Sequence, residues 1–197
     1  MGTSRTLPPD DGPLRRTASR RRVLAGLAAT GLSLAAAPRA ASADYWKDRE
    51  RRLHLRNLWT EEELDLTYWR EGRYDDDALA TIDVLLRDRR TGQVGSIFYQ
   101  VLDHLVRLAQ ATGAPPAFDV ISGFRSESTN AWLAANSEGV STNSLHTLGM
   151  AIDIRHPEMP AAQLFEAAAD LAMGGAGYYR RSDFVHLDVG PVRLWIG

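Results

Sequence analysis

The amino-acid sequence predicts an α+β fold, a single domain with an N-terminal hairpin and helices packed on a mainly antiparallel sheet. Three patterns carry that expectation. Apolar and polar residues alternate on both sides of a short polar segment at 60–62. Apolar residues then recur at helical spacing through two stretches between 75 and 113. Beyond Pro115 and Pro116 the chain is dominated by short apolar runs broken by glycine and proline. No internal repeat and no second domain is evident.

The elements follow in order. Residues 44–52 are highly charged and read as a loose lead-in. Leu53 and Leu55 alternate with Arg52, His54 and Arg56, and Leu64, Leu66 and Tyr68 alternate with Asp65 and Thr67. Period two on both sides favours a hairpin turned at Thr60-Glu61-Glu62 over the competing reading, a helix capped by Thr60 with Glu63 three residues on. Asp75, Asp76 and Asp77 precede the stripe Leu79, Ile82, Leu85 and Leu86, an amphipathic helix ending near 89–92. A second helix spans about 97–111 and stops at Gly113. Residues 117–122 form a strand with Arg125 just beyond it, and 127–135 a helix. Residues 150–154 form a strand and 160–173 a helix, 174–177 a tight glycine-rich turn, and 184–188 and 192–196 two last strands. His104 is given no functional role, His156 reads as a surface residue and His54 as structural.

Composition excludes several chemistries. The chain of 197 residues has no cysteine, so thiolate metal sites, catalytic thiols and disulfides are ruled out, and any metal must be held by histidine and carboxylate. The net charge of −2 hides an asymmetry: with seven arginines and two aspartates in 1–43, residues 44–197 carry a formal charge of −7. A domain that acidic is ill-suited to track a phosphate backbone, so no nucleic-acid partner is expected.

The first 43 residues read as an address. Arg20, Arg21 and Arg22 precede Val23 and Leu24, an uncharged Ala- and Gly-rich run follows to Ala37, and Ala41-Ser42-Ala43 supplies the small residues of a cleavage site. Paired arginines there resemble a twin-arginine export signal, and the apolar run is shorter than the roughly 20 residues of a membrane span. The expected organisation is a leader at 1–43 and one domain at 44–197, exported to the periplasm or cell-wall space and not inserted in a membrane after cleavage.

The chemistry concentrates in two stretches. In Ser144-Leu145-His146-Thr147-Leu148-Gly149-Met150-Ala151-Ile152-Asp153, a strand would place Gly149, Ala151 and Asp153 on one face, leaving space beside the carboxylate. His146 lies just before it, where a loop can fold back over that face. In Asp183-Phe184-Val185-His186-Leu187-Asp188, His186 and Asp188 share a face while Val185 and Leu187 point inward. His146, Asp153 and His186 match the three protein ligands of a catalytic zinc site, which keeps one position open. Two imidazoles favour zinc over calcium. On spacing alone, a set of hydrogen-bonded His–carboxylate pairs remains the alternative.

The motif Ser-x-His-x-x-Gly-x-Ala-x-Asp over 144–153, followed later by acidic-x-x-His, resembles the zinc D-alanyl-D-alanine metallopeptidases, grouped with lysostaphin-type endopeptidases and the hedgehog domain. The murein endopeptidase K-like branch is the nearer likeness, through residues 121–126, 143–146, 174–179 and 182–188, with Asn57 and 86–92 in support. The resemblance implies one Zn2+ per chain on His146, Asp153 and His186, and peptidoglycan stem peptides as substrate. It implies that Arg125 stabilises the oxyanion, with a surface salt bridge as the alternative, and that Ser144 contacts substrate, with a loop cap as the alternative. It also places an acid at Asp183 as general base. Strict strand parity puts Asp183 on the face opposite His186, so that role needs the strand to begin after it or to bulge. Asp188 is the other acid, as base or as partner of a ligand histidine. The implied activity is hydrolysis of cross-links between stem peptides. A D,D-carboxypeptidase or dipeptidase trimming terminal D-Ala and a non-catalytic, zinc-containing wall-binding module are the alternatives.

Overall fold

The alternation of the first two strands is what buries them. The computed structural model describes residues 50–137 and 140–197; the expected leader at 1–43 and the outer part of the lead-in lie outside the described residues. Strand β1 (Glu50–Asn57) pairs antiparallel with β2 (Glu63–Arg70), with Leu53 opposite Leu66 and Leu55 opposite Leu64. Leu53 and Leu55 are fully buried while Arg52 and Arg56 face solvent. The hairpin is therefore formed, with Glu61 at positive φ in its turn.

The charged lead-in is corrected at its inner end, because β1 begins at Glu50 and Arg51 is buried. The Arg51 guanidinium lies 2.7 Å from Asp103 Oδ1 and 4.2 Å from the centre of the Trp69 ring. Asp103 also accepts from the hydroxyls of Tyr68 and Tyr74, each at 2.8 Å. A buried charge of this kind persists only when paired and hydrogen-bonded. Its partner is 52 positions away, so the charge run concealed it.

The two-residue strand β3 (Arg73–Tyr74) leads into helix α1 (Asp76–Leu85), capped by Asp75, whose carboxylate accepts from the Ala78 amide at 3.0 Å. The helix stops four residues short of the expected end. Asp88 Oδ1 captures the amides of Arg90 and Thr91, at 2.8 and 3.3 Å, and folds 88–91 into a turn instead. Helix α2 (Tyr99–Thr112) ends on Gly113, as expected. Strand β4 (Ala117–Ser122), helix α3 (Glu127–Asn136), a 3-10 turn (Leu145–Leu148), strand β5 (Ala151–Arg155) and helix α4 (Ala161–Leu171) follow. Strands β6 (Gly175–Tyr179), β7 (Phe184–Asp188) and β8 (Arg193–Ile196) complete the described chain.

Segment 174–177 is thus not a turn but the start of β6. Its glycines answer to close approach: a Cβ on Gly177 would lie 2.2 Å from the Trp195 ring, and one on Gly174 1.9 Å from the Asp188 carbonyl oxygen. The sheet runs β3-β2-β1-β4-β5-β7-β6-β8. Strands β1 and β4 run parallel, as do β6 and β8; the other neighbours are antiparallel. Leu53, Leu55, Ile152, Ile154, Val185 and Leu187 join Leu102, Leu105, Leu164 and Ala168 of the helices in one buried cluster. By strand alternation, Asp153 and His186 point to the other face.

Two histidines outside the expected metal set are buried, one of them against expectation. His156 is buried rather than on the surface: its Nε2 lies 3.0 Å from the Pro115 carbonyl and its Nδ1 accepts from the Glu158 amide. His104 is enclosed in α2, and burial, opposed only by the charge of Asp188, lowers its pKa to about 4. The fold thus favours the neutral ring. Its stabilising effect is complete above about pH 6.5 and is lost as pH falls towards 4, with a total of about 3 kcal/mol. Replacing His104 by Leu should flatten the dependence of unfolding free energy on pH between 6.5 and 4, measured by urea denaturation across that window. An unchanged slope would show that His104 does not titrate with folding.

Candidate metal centre

Hydrogen-bonding register places the site. Across the sheet, Ser122 of β4 is the cross-strand partner of Asp153 in β5, Asp153 of His186 in β7, His186 of Gly177 in β6, and Gly177 of Trp195 in β8. The two ligand-bearing strands therefore bring Asp153 and His186 together directly. His146 reaches them from the 3-10 turn that precedes β5. Gly149 ends that turn in the left-handed conformation, φ 68°, where a Cβ would sit 1.9 Å from the Ser96 carbonyl oxygen. Glycine is required there on both counts.

Three ligand atoms converge. His146 Nε2 lies 3.2 Å from Asp153 Oδ1 and 3.2 Å from His186 Nδ1, and His186 Nδ1 lies 2.8 Å from Asp153 Oδ1. Around a tetrahedral ion with bonds of about 2.0–2.1 Å, ligand atoms are separated by about 3.3 Å. The outer nitrogen of each imidazole is held. His146 Nδ1 is 2.7 Å from the Gly123 carbonyl, and His186 Nε2 is 3.0 Å from Asp188 Oδ2. A carbonyl and a carboxylate can only accept, so each outer nitrogen can carry a proton, and with a cation held among the inner atoms each inner nitrogen would present its lone pair. The donor set, its spacing and its tautomers fit a divalent cation of the zinc type.

Without an ion, the electrostatics favour the ligating forms of His146 and Asp153 but the protonated ring of His186, whose proton a cation would displace. Burial lowers the pKa of His146 and keeps the ring neutral. Burial pushes the Asp153 carboxyl up, but His146, His186 and the Arg125 guanidinium outweigh it and hold it well below the usual range. Burial likewise opposes charge on His186, and its bonds to Asp153 and Asp188 raise its pKa. Asp188 is fully buried. Burial would raise its carboxyl, but His186, Arg193 and the Gly190 amide bring it below the ordinary value.

The remaining expected residues fall at different distances from the centre. Arg125 donates through NH2 to Asp153 Oδ2 and through Nε to Ser122 Oγ at 2.8 Å. Ser144 caps the 3-10 turn, accepting from the His146 amide at 3.4 Å, and lines the cavity over the ligands. Asp183 is exposed, with φ 49°, one residue before β7 begins. The strand thus starts after it, and the parity objection does not apply. Among the described residues no hydrogen bond or ion pair fixes its carboxylate, and it is not among the residues lining the two cavities that meet at Arg125 and Asp153. Asp188 sits behind His186, with Oδ1 and Oδ2 taken by the Gly175 and Gly190 amides, Arg193 and His186.

Three groups at the site were not found by sequence reasoning. Arg193 bridges both oxygens of Asp188, at 3.0 and 2.6 Å, across the Gly190-Pro191 turn, where no periodicity links the pair. Trp195 stands 5.3 Å from the His186 ring; the run of small residues in β6 was its only signal. The Gly123 carbonyl is a backbone group without any side-chain signature. Of the two tyrosines beside the glycines, Tyr179 lines the cavity and Tyr178 stacks on Phe165.

Fold and site together define a metal-dependent peptidase centre carried on a mixed sheet. The family model described as peptidoglycan L,D-endopeptidase MepK matches residues 46–195. The peptidoglycan L,D-endopeptidase MepK of Escherichia coli K12 is 38% identical over 178 residues, 90% of this chain and 97% of that protein. The probable peptidoglycan L,D-endopeptidase MepK of Haemophilus influenzae is 37% identical over 150 residues, 76% of this chain and 81% of that one. The chain belongs to this family. No solved structure matches it.

Asp188 should act through His186. Replacing it by Asn removes the charge that fixes the Nε2–H tautomer, and should weaken metal affinity by about 10- to 100-fold, read by chelator competition, with the fold retained by circular dichroism. Unchanged affinity would contradict the role.

Proposed function

We propose that this chain is a zinc-dependent peptidoglycan endopeptidase that cuts peptide cross-links between stem peptides, an L,D-endopeptidase like the relatives it resembles. One observation carries the reading: three ligand atoms converge on a point beside a cleft that continues on both sides of Arg125. A cavity of 440 Å³ lies over His146, Asp153 and His186, and a second of 180 Å³ lies beyond Arg125. A cleft extending past the reacting centre in both directions suits a bond inside a chain better than a terminal residue.

His146 Nε2, Asp153 Oδ1 and His186 Nδ1 would hold the zinc ion. When bound, zinc supplies Lewis acidity towards the scissile carbonyl and a nucleophile from water at neutral pH. Arg125 presents its guanidinium where the carbonyl oxygen gains charge, with its orientation fixed by Asp153 and Ser122. Asp183 would take the proton of the attacking water and pass it to the leaving amine, its exposed carboxylate turning into the cleft that it does not line in this structure. Two features support Asp183 over Asp188: its carboxylate is unengaged, and the strand begins after it. Asp188 keeps His186 in its ligating tautomer instead. Ser144 contacts substrate at the rim. Export through a twin-arginine-type leader over 1–43, cleaved after Ala43, would bring the domain to the wall, and no helix of the described residues is long and apolar enough to cross a membrane.

The test is digestion of purified cross-linked muropeptides, with products identified by mass. The wild type should release monomers and contain one zinc per chain, and His146→Ala should lose both properties. Arg125→Ala should lower kcat by about 10²- to 10³-fold, the scale of one oxyanion donor. Asp183→Asn should lose most of kcat while keeping its zinc. Loss of terminal alanine alone would overturn the endopeptidase reading, and full activity in Asp183→Asn would overturn that residue's role.

A further inference from the structure

We propose that Arg89 and Arg90 form a carboxylate-binding subsite in the smaller cavity, taking a free carboxylate of the stem peptide at a distance from the bond that is cut. The inference rests on the endopeptidase reading and adds to it a determinant of substrate choice. Nothing in the chemistry of the metal centre requires these residues.

The turn that carries them is held rigidly. Asp88 is buried; Oδ1 accepts from the amides of Arg90 and Thr91, and Oδ2 from the amide and hydroxyl of Ser126 at the start of α3. The nearest acid is therefore occupied by the backbone and a serine, not by a guanidinium. Each guanidinium carbon then lies over a tryptophan: that of Arg89 is 3.8 Å from the Trp59 ring centre and that of Arg90 4.0 Å from that of Trp132. Trp59 is itself anchored, its indole N–H donating to the Ile121 carbonyl at 2.8 Å at the end of β4.

Stacking occupies the flat face of a guanidinium and leaves its N–H donors free in the plane, where they match the two oxygens of a carboxylate. Among the described residues, neither Arg89 nor Arg90 makes an ion pair. Arg87 in the same turn is different, because it is bound to Glu62 at 2.8 and 3.1 Å. Both free arginines line the cavity that also holds Arg125 and Asp153, so the subsite is continuous with the reacting centre. Partial burial together with the charges of Arg90 and Arg125 outweighs the charge of Asp88 and lowers the pKa of Arg89. An unpaired cationic pocket in a domain of formal charge −7 over 44–197 calls for an anionic ligand. Both side chains are exposed, so an incoming ligand can reach them, and each is placed over an aromatic ring at the edge of the cleft.

The experiment compares two substrates and one variant. Cross-linked muropeptide dimers are prepared with their stem-peptide carboxylates free or converted to amides. For Arg89→Gln/Arg90→Gln, KM on the free-carboxylate dimer should rise by about tenfold or more, the scale of a charge-assisted hydrogen bond, with kcat little changed. On the amidated dimer, variant and wild type should perform alike. Arg89→Lys/Arg90→Lys should recover part of the lost affinity. Binding of an uncrosslinked stem peptide to the zinc-loaded protein, followed by calorimetry, should weaken in step. An equal loss on both dimers, or no loss on either, overturns the subsite while leaving the endopeptidase reading intact. A wild type that cuts neither dimer overturns the enzymatic reading, and the subsite with it.

Discussion

The convergence of His146, Asp153 and His186 depends on one constraint: β5 and β7 must pair with Asp153 opposite His186. A slip of one residue in either strand would turn its own ligand, Asp153 or His186, into the apolar core and bring a neighbouring core residue to the site. The register is defended by what lies behind it. Ile152, Ile154, Val185 and Leu187 are all essentially fully buried against the helices, so the hydrophobic face fixes the polar one. The metal centre is thus a consequence of core packing, read out on the opposite side of the same two strands.

Around that pair, the fold supplies what short side chains cannot. Gly149 turns His146 back over the sheet. Gly177 keeps the row low enough for Trp195 to lean over His186. The Gly123 carbonyl and Asp188 fix the two imidazole tautomers from opposite sides, and Arg193 and two backbone amides fix Asp188 in turn. Each imidazole is therefore held by a second group that does not itself touch the centre. That arrangement has the preorganisation a catalytic metal site needs, since ligands already aligned need little reordering when the ion binds.

Much of this was legible in the sequence, and the reasons differ by element. The hairpin was readable because Leu53, Leu55, Leu64 and Leu66 keep period two on a half-exposed surface. Helix α2 was readable because its stripe is long and Gly113 stops it. The three converging residues were readable because Asp153 and His186 each sit between apolar residues that must point inward. Strand β6 was not readable. Its glycines mimic turn chemistry, and only the packing of Trp195 and Asp188 against them explains their size. Arg51, Asp103 and His156 were hidden because long-range partners decide their burial. Arg193 was hidden because its pairing with Asp188 crosses a turn. Local patterns thus gave the elements, while pairings between distant residues settled where polar groups are buried.

The central claim is that a single zinc ion is held by two imidazole nitrogens and one carboxylate oxygen from this chain. X-ray absorption at the zinc edge, on protein loaded with one equivalent, tests it most directly. The account predicts a first shell of nitrogen and oxygen atoms at about 2.0–2.1 Å with the outer-shell scattering of two imidazoles, reduced to one imidazole in His186→Ala. A shell of oxygen atoms alone, or a spectrum unaltered by that substitution, would contradict it.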